Sequence, residues 1–297
     1  MIVAPIIISL REGIEAALVI AIMIAYLRRS NQRNLTRYVL GGAIAAIVSS
    51  MVIAILMSML WGTFEGPLLA VFEGTVVLIA ALLLTTMIVW MWGAGSGVAA
   101  EIEDSVSQRT AQNSGIGVAL LAFALVLREG VELVLFTMAL AIQEGSETYL
   151  GVAIGLTLAI GVGLAIHQGS LKVSLKAFFN WTSVLLVLFA AGMMAYGIHE
   201  LQEAGLFLIG PLEVWNINPP QLPDGSYPLL HEKGFIGAMF KALFGYNGNP
   251  SALEVIVYIG YLVVLSLYYL RNRSAGEVDA RLASDEKDNI TGGTIST

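Results

Sequence analysis

Two short charged motifs stand inside long apolar stretches of the sequence. The first is Arg11-Glu12-Gly13-Ile14-Glu15, and the second is Arg128-Glu129-Gly130-Val131-Glu132. In a helix, residues three and four positions apart are neighbours, so the arginine and both glutamates of each motif share one face. Carboxylate oxygens are hard ligands that suit Ca²⁺, Mg²⁺, Mn²⁺ and iron. The motifs therefore predict a cation site with glutamate ligands, in which the arginines orient the carboxylates.

The charge balance of this predicted site favours a cation over a purely structural role. Each charge near the centre of a bilayer costs about 2.5–3.5 kcal/mol, so these side chains need a compensating partner. Buried ion pairs that only join two helices are the structural alternative. The predicted ligands carry four negative charges, on Glu12, Glu15, Glu129 and Glu132, and the arginines carry two positive charges, on Arg11 and Arg128. The predicted site therefore has a formal charge of −2. That excess calls for a metal ion or for protons.

Further acidic residues extend the predicted site. Glu73, within Phe72-Glu73-Gly74, is expected to lie near the four glutamates and to contribute to the metal site. His199, Glu200 and Glu203 end an apolar segment, and we interpret them as part of an acidic outer vestibule that concentrates cations.

The composition places the chain in the membrane. Hydrophobic residues make up 57% and charged residues only 12% of the 297 positions, and the mean hydropathy is +0.79. A soluble domain carries about a quarter charged residues, so soluble enzymes and disordered chains are excluded. The count of 0 Cys also excludes disulfides, thiolate metal sites and cysteine nucleophiles.

The long apolar segments predict an all-α polytopic membrane protein. A spanning helix needs about 20 apolar residues. Seven segments meet this length, near Ile2–Leu27, Tyr38–Trp61, Leu68–Trp92, Gly115–Ile142, Tyr149–His167, Phe178–His199 and Ala252–Leu270. We expect a permease domain over residues 1–273, with an outer loop over 201–251 and a disordered cytoplasmic tail over 274–297.

Basic residues predict the orientation, because Lys and Arg are retained on the cytoplasmic side. They cluster in alternate loops, as Arg28, Arg29, Arg33, Arg37, Arg109, Lys172, Lys176, Arg271 and Arg273, whereas the opposite loops carry Lys233 and Lys241. The N-terminus is therefore expected outside the cell and the C-terminus in the cytoplasm.

The two motifs also indicate an internal repeat. They match in four of five positions, and Leu18 corresponds to Leu135. Three helices separate the starts of the two motif-bearing segments, so these segments are expected to run in opposite directions. The pattern predicts an inverted repeat of three plus three helices, over about 1–92 and 115–200, with a seventh helix added. Transporters of this kind bind their substrate near the membrane midplane, at the repeat interface.

At these residues the sequence resembles the oxidase-dependent iron permease family, which is marked by Arg-Glu-Gly-x-Glu in its first and fourth helices. The likeness covers roughly Pro5 to Leu270. Other stretches that carry it are Phe72-Glu73-Gly74, Phe178-Phe179-Asn180-Trp181-Thr182-Ser183, His199-Glu200, Glu203-Ala204-Gly205, Phe244-Gly245-Tyr246, Pro250-Ser251 and Glu254-Val255.

The resemblance implies a seven-helix iron permease of the plasma membrane, in which the motif glutamates take part in iron passage. It also implies an extracytoplasmic ferroxidase or iron-delivery partner, and an oligomer is possible. Iron, as Fe²⁺ or Fe³⁺, is then the transported substrate rather than a permanently bound cofactor, and no nucleic acid is involved. A divalent-cation or cation/proton exchanger, a membrane iron oxidoreductase and a structural scaffold remain the alternatives.

Overall fold

The computed structural model describes residues 2–93, 98–111, 114–167, 175–222, 224–232 and 234–292. Of these, residues 93, 98–99, 110–111, 166–167, 175–181, 235, 242–243 and 273–292 are described by their backbone. Lys172, Lys233 and residues 293–297 of the predicted tail lie outside these ranges. Within them the chain is helical, without a strand. A short 3₁₀ turn at Arg33–Leu35 precedes the second of the α-helices, which are α1 (Val3–Arg29), α2 (Thr36–Trp61), α3 (Gly66–Gly93), α4 (Val98–Ala111), α5 (Gly115–Glu144), α6 (Glu147–His167), α7 (Leu175–Glu203), α8 (Phe235–Phe244) and α9 (Ala252–Gly292).

Each of the seven apolar segments predicted from the sequence lies in a helix, and the all-α polytopic class is confirmed. Among the described residues, five segments are long and apolar enough to cross a membrane, namely Arg33–Trp61, Gly66–Trp92, Glu147–Ala165, Thr182–Glu203 and Ala252–Asn272. Helices α1 and α5 have comparable lengths of 27 and 30 residues. They are not among these five segments, because each contains a motif with three charged residues. The count of seven spans therefore stays a prediction.

Two short helices lie outside the seven predicted apolar segments. Helix α4 is short and polar, but it buries Ile102 and Val106 against the ends of α1 and α5 near Met23 and Val118. Helix α8 lies within the predicted outer loop and ends at Gly245, whose φ of 66° suits a residue without a side chain. Both are too short to give the long apolar signal from which spans are recognised.

Helix α9 continues well beyond the predicted span. Its backbone is helical through Gly292, where the sequence predicted disorder from Ser274 onward. The segment after Leu270 contains good helix formers and a Glu277–Arg281 pair at i,i+4 spacing, which favours a helix despite the polar composition.

The helices pack in a pattern that brings the two motifs together. The most extensive contacts join α1 with α6, α2 with α5, and α3 with α7, while α1 and α5 also contact each other. Small residues allow these close approaches: a methyl group on Gly151 of α6 would lie 2.9 Å from the carbonyl oxygen of Ile2, the residue that precedes α1. The motif-bearing helices α1 and α5 are thus held side by side.

Candidate metal centre

The first motif is buried in the interior of the helix bundle. Arg11 is 1% exposed and Glu12 is 2% exposed. The guanidinium of Arg11 donates to both glutamates of its own motif, at 3.0 Å to Glu12 Oε1 and 2.9 Å to Glu15 Oε1. On the other side it contacts the thioether sulfur atoms of Met87 and Met91 in α3. One arginine therefore fixes two carboxylates while α3 closes over it.

The second motif repeats this arrangement in a more open setting. Arg128 Nε lies 3.1 Å from Glu132 Oε1 and 3.5 Å from Glu129 Oε1. Unlike the side chain of Arg11, that of Arg128 is 54% exposed, whereas the side chains of Glu129 and Glu132 are 7% and 13% exposed. The two sequence-equivalent arginines therefore occupy different surroundings.

The glutamates of the two motifs meet between α1 and α5. One carboxylate oxygen each from Glu12, Glu15 and Glu129 lies within 4.8 Å of the others. Glu132 completes the group electrostatically, because it is close enough to repel both glutamates of the first motif. The structure thus brings together four of the five residues that the sequence predicted for the metal site, from motifs that lie more than a hundred positions apart.

The hydrogen-bonding state of these carboxylates points to a ligand. Glu12 Oε2 and Glu129 Oε2 are buried and find no hydrogen-bond partner among the described residues. A buried polar atom without a partner carries a desolvation cost, and such an atom in a native structure calls for an explanation. Several carboxylate oxygens converging in one place can replace the hydration shell of a hard cation.

Glu73 lies in different surroundings from those predicted. Its Oε1 accepts a hydrogen bond of 2.7 Å from Trp61 Nε1, which links the end of α2 to the start of α3. It is also within electrostatic reach of Glu200, which hydrogen-bonds Tyr196. Glu73 is therefore associated with α7 and with the predicted outer residues, and it is not in the three-glutamate group of Glu12, Glu15 and Glu129.

The predicted outer residues form a network that connects α7 with α9. His199 Nδ1 lies 2.9 Å from Glu254 Oε1, and His199 Nε2 lies 3.2 Å from Glu203 Oε1. Glu254 accepts further bonds from Asn247 Nδ2 at 2.8 Å and from the Ser251 amide at 2.9 Å. The backbone N–H of Glu254 in turn donates to Ser251 Oγ at 3.2 Å, which makes the pair a reciprocal cap of α9.

An acidic turn lies in the loop between α7 and α8. Asp224 Oδ1 accepts hydrogen bonds from the Ser226 hydroxyl at 2.7 Å and the Ser226 amide at 2.9 Å. These bonds lower the pKa of the Asp224 carboxyl below its ordinary value. The turn therefore keeps its negative charge in mildly acidic solution.

Sequence reasoning missed three contacts that shape these sites. Met87 and Met91 gave no polar signal, although their sulfur atoms cover Arg11. The sequence marks Trp61 only as the end of an apolar segment, and Glu254 only as part of a stretch that carries the family resemblance. The Ser251-x-x-Glu254 spacing is a capping signature that could have located the start of α9.

A polytopic helical bundle whose carboxylates converge between apolar helices is typical of one class, the membrane transporters of cations. The sequence matches the iron permease FTR1 family over residues 2–275. The chain belongs to this family, which confirms the resemblance carried by the two motifs. It is an iron permease, a transporter rather than an enzyme.

Individual relatives cover almost the whole chain. The ferrous iron permease EfeU of Yersinia pestis is 34% identical over 277 residues, which is 91% of this chain and 94% of the relative. EfeU of Escherichia coli O6:K15:H31 is 31% identical over 281 residues, covering 93% and 98%. A protein of Archaeoglobus fulgidus is 36% identical over 282 residues, covering 93% and 96%. No solved structure matches the chain significantly.

Proposed function

We propose that the protein carries iron into the cell across the cytoplasmic membrane, through a site formed by Glu12, Glu15, Glu129 and Glu132. One observation carries the proposal: carboxylate oxygens from α1 and α5 converge to within 4.8 Å of one another. In this site the glutamates ligate the ion, while Arg11 and Arg128 hold the carboxylates in position by the contacts described above. The ion thus binds where the two halves of the chain meet.

The charge of the site supports ferrous iron as the transported form. Four glutamates and two arginines sum to −2 when all are ionised, which one Fe²⁺ neutralises. Including Glu73 would give −3 and suit Fe³⁺, but Glu73 pairs with Trp61 and lies close to Glu200. The EfeU relatives are named ferrous iron permeases, which agrees with this choice.

We propose that the membrane domain contains seven spans arranged as an inverted repeat with an added seventh helix. Helix contacts at corresponding positions support the repeat. Gly13 of α1 packs on Ala159 of α6, and the equivalent Gly130 of α5 packs on Ser50 of α2. Likewise, Gly151 of α6 faces the Ile2 carbonyl, and Gly42 of α2 faces the Ala119 carbonyl. These residues occupy equivalent positions in the two proposed repeats, because Ile2 and Ala119 are as far apart in the sequence as the two motifs. The α1–α6 and α5–α2 pairs are thus built alike.

The proposed orientation places the N-terminus outside and the C-terminus in the cytoplasm. Its support is the distribution of basic residues. On the proposed outer side, the loop after α7 exposes a run of large apolar side chains that includes Phe207, Leu208, Ile209 and Leu212, each more than half exposed. Contiguous apolar surface of this kind is typical of interaction sites. It supports docking of the expected extracytoplasmic ferroxidase or iron-delivery partner on this face.

Uptake by the purified protein in liposomes tests the proposal. Radiolabelled iron is supplied as Fe²⁺ with a reductant or as chelated Fe³⁺, each with and without a pH gradient. We expect saturable uptake of Fe²⁺, abolished by Glu12→Ala and retained in a matched surface variant, Glu213→Ala. Uptake that Mn²⁺ or Zn²⁺ competes for equally would favour a general divalent-cation transporter, and equal uptake by wild type and Glu12→Ala would contradict the site.

A further inference from the structure

A cavity of about 410 Å³ lies between α3 and α5, next to the second motif. Its walls are Leu83, Thr86, Met87 and Trp90 of α3, with Arg128 and Glu132 of α5. The α3 residues are spaced at i, i+3, i+4 and i+7, so one face of the helix forms this wall. Glu132 is a proposed iron ligand, and the cavity therefore adjoins the metal centre directly.

The exposed arginine indicates what fills this cavity. The side chain of Arg128 is 54% exposed at a depth where the chain is otherwise apolar. Charged side chains inside a membrane face the protein interior or a water-filled space, because contact with lipid is costly. An aqueous cavity accounts for the exposure of Arg128, whereas a lipid-filled one does not.

Met87 contacts both this cavity and the buried arginine of the first motif. It lines the cavity, and its sulfur also contacts Arg11, which is 1% exposed. One thioether side chain is therefore shared by Arg11 and by the cavity that Arg128 lines. Only the second motif is open to the cavity in this conformation.

We propose that Thr86, Met87 and Trp90 line the aqueous path between the metal centre and the cytoplasm, and that Met87 is the barrier between that path and Arg11. This inference rests on the proposed function and on the proposed orientation, in which the last turns of α3 are the cytoplasmic ones. Iron bound by the four glutamates would leave past Glu132, along the polar wall of Thr86 and Trp90. None of these α3 residues was predicted from the sequence to take part in transport.

Single-cysteine labelling tests the path, and the chain has 0 Cys of its own. Thr86→Cys is compared with Leu82→Cys, which lies one turn earlier on the same exposed face of α3 and outside the cavity lining. Inverted membrane vesicles, which present the cytoplasmic face, are treated with a charged thiosulfonate reagent. We expect Thr86→Cys to react at least about tenfold faster than Leu82→Cys, because a charged reagent enters lipid poorly. Modified Thr86→Cys should lose iron uptake, and Fe²⁺ should slow the labelling.

The outcomes separate this inference from the proposed function. Wild-type protein that takes up iron while Thr86→Cys labels no faster than Leu82→Cys would overturn the path and leave the permease intact. Labelling of Thr86→Cys only in right-side-out vesicles would also overturn it. Failure of wild-type uptake would instead count against the proposed function, whatever the labelling shows.

The proposed barrier role of Met87 is tested by changing the size of its side chain. Met87→Leu keeps a similar volume and should leave the labelling rate of Thr86→Cys close to that measured with Met87 in place. Met87→Ala should open the barrier, so that a cysteine introduced at Ile14, the buried apolar residue of the first motif, becomes reactive from the cytoplasmic side. Unchanged protection of that cysteine in folded Met87→Ala protein would show that Met87 is not the barrier.

Discussion

Gly130 of α5 packs against Ser50 of α2 so closely that a methyl group on Gly130 would overlap the Ser50 hydroxyl and lie 2.9 Å from its Cβ. The glycine of the second motif therefore has a packing role that is separate from ion binding. Ser50 is itself fixed, since its hydroxyl donates to the Ala46 carbonyl at 2.9 Å. The second motif therefore specifies both the spacing of its own charged residues and the close packing of α5 on α2.

Gly130→Ala should destabilise the protein by about 1–3 kcal/mol, the usual cost of overpacking a filled interior. The second-site change Ser50→Gly removes both colliding atoms and should restore much of the loss. Thermal unfolding in detergent, followed for both single variants and the double variant, measures the rescue. Additive losses in the double variant would contradict the contact.

Replacing the two motif arginines should have unequal effects on stability. Arg11→Gln leaves Glu12 and Glu15 buried without their shared cation, and losing one partner of a buried ion pair costs about 3–5 kcal/mol. Arg128 is half exposed, so Arg128→Gln should cost about 1 kcal/mol or less. Denaturant or thermal unfolding of the two variants under identical conditions compares them, and equal losses would show that the difference in burial has no energetic consequence.

The glutamates of the two helices should act as one unit in transport. Glu12→Ala/Glu15→Ala and Glu129→Ala/Glu132→Ala should each abolish iron uptake, because either pair alone supplies too few oxygens to replace the hydration shell. Combining all four changes should then add no further loss. Titration of iron binding to purified protein provides the second readout, and two independent sites, one retained in each double variant, would refute the shared centre.

Two residues of the outer network should have different roles, Glu203 in the capture of iron and Glu254 in the stability of the fold. Glu203→Ala removes an exposed acid and should raise the iron concentration for half-maximal uptake while leaving the maximal rate nearly unchanged. Glu254→Gln weakens bonds that tie α7 to α9 and should cost about 2 kcal/mol, typical of hydrogen bonds to a charged group. Uptake kinetics and unfolding, measured on both variants, distinguish the roles. A fall in maximal rate for Glu203→Ala without a change in half-saturation would argue against an outer capture site.

The orientation is testable with single cysteines in intact cells. Cysteines at Ser30 and Asn272 should resist a membrane-impermeant thiol reagent, whereas one at Ser226 should react, because only the last faces outward in the proposed topology. All three positions are exposed, so burial does not confound the comparison. Labelling of Asn272 from outside would reverse the proposed orientation.

The sequence predicted the parts of this molecule that depend on strong, local signals. Long apolar segments located the main helices, and charges in an apolar setting located Glu12, Glu15, Glu129 and Glu132, because both patterns reflect large energetic costs. The difference between Arg11 and Arg128 was not predictable, since identical motifs carry identical local signals. It arises from the placement of α3, where the sulfur atoms of Met87 and Met91 contact the arginine of the first motif. The position of Glu73 beside Trp61 likewise follows from how α2 and α3 join, which a list of charges does not specify.

Helix α4 makes the two halves of the protein mechanically dependent on each other. It contacts both α1 and α5, and Ile102 and Val106 pack into an apolar cluster with Met23 of α1 and Val118 of α5. Its first half is tied to α1 by the Arg29–Glu103 ion pair at 2.6 Å. Separation of α1 and α5 at the ends that pack on α4 would therefore break contacts with α4 on at least one side. A fluorophore on the polar face of α4 would thus report any separation of the two motif-bearing helices.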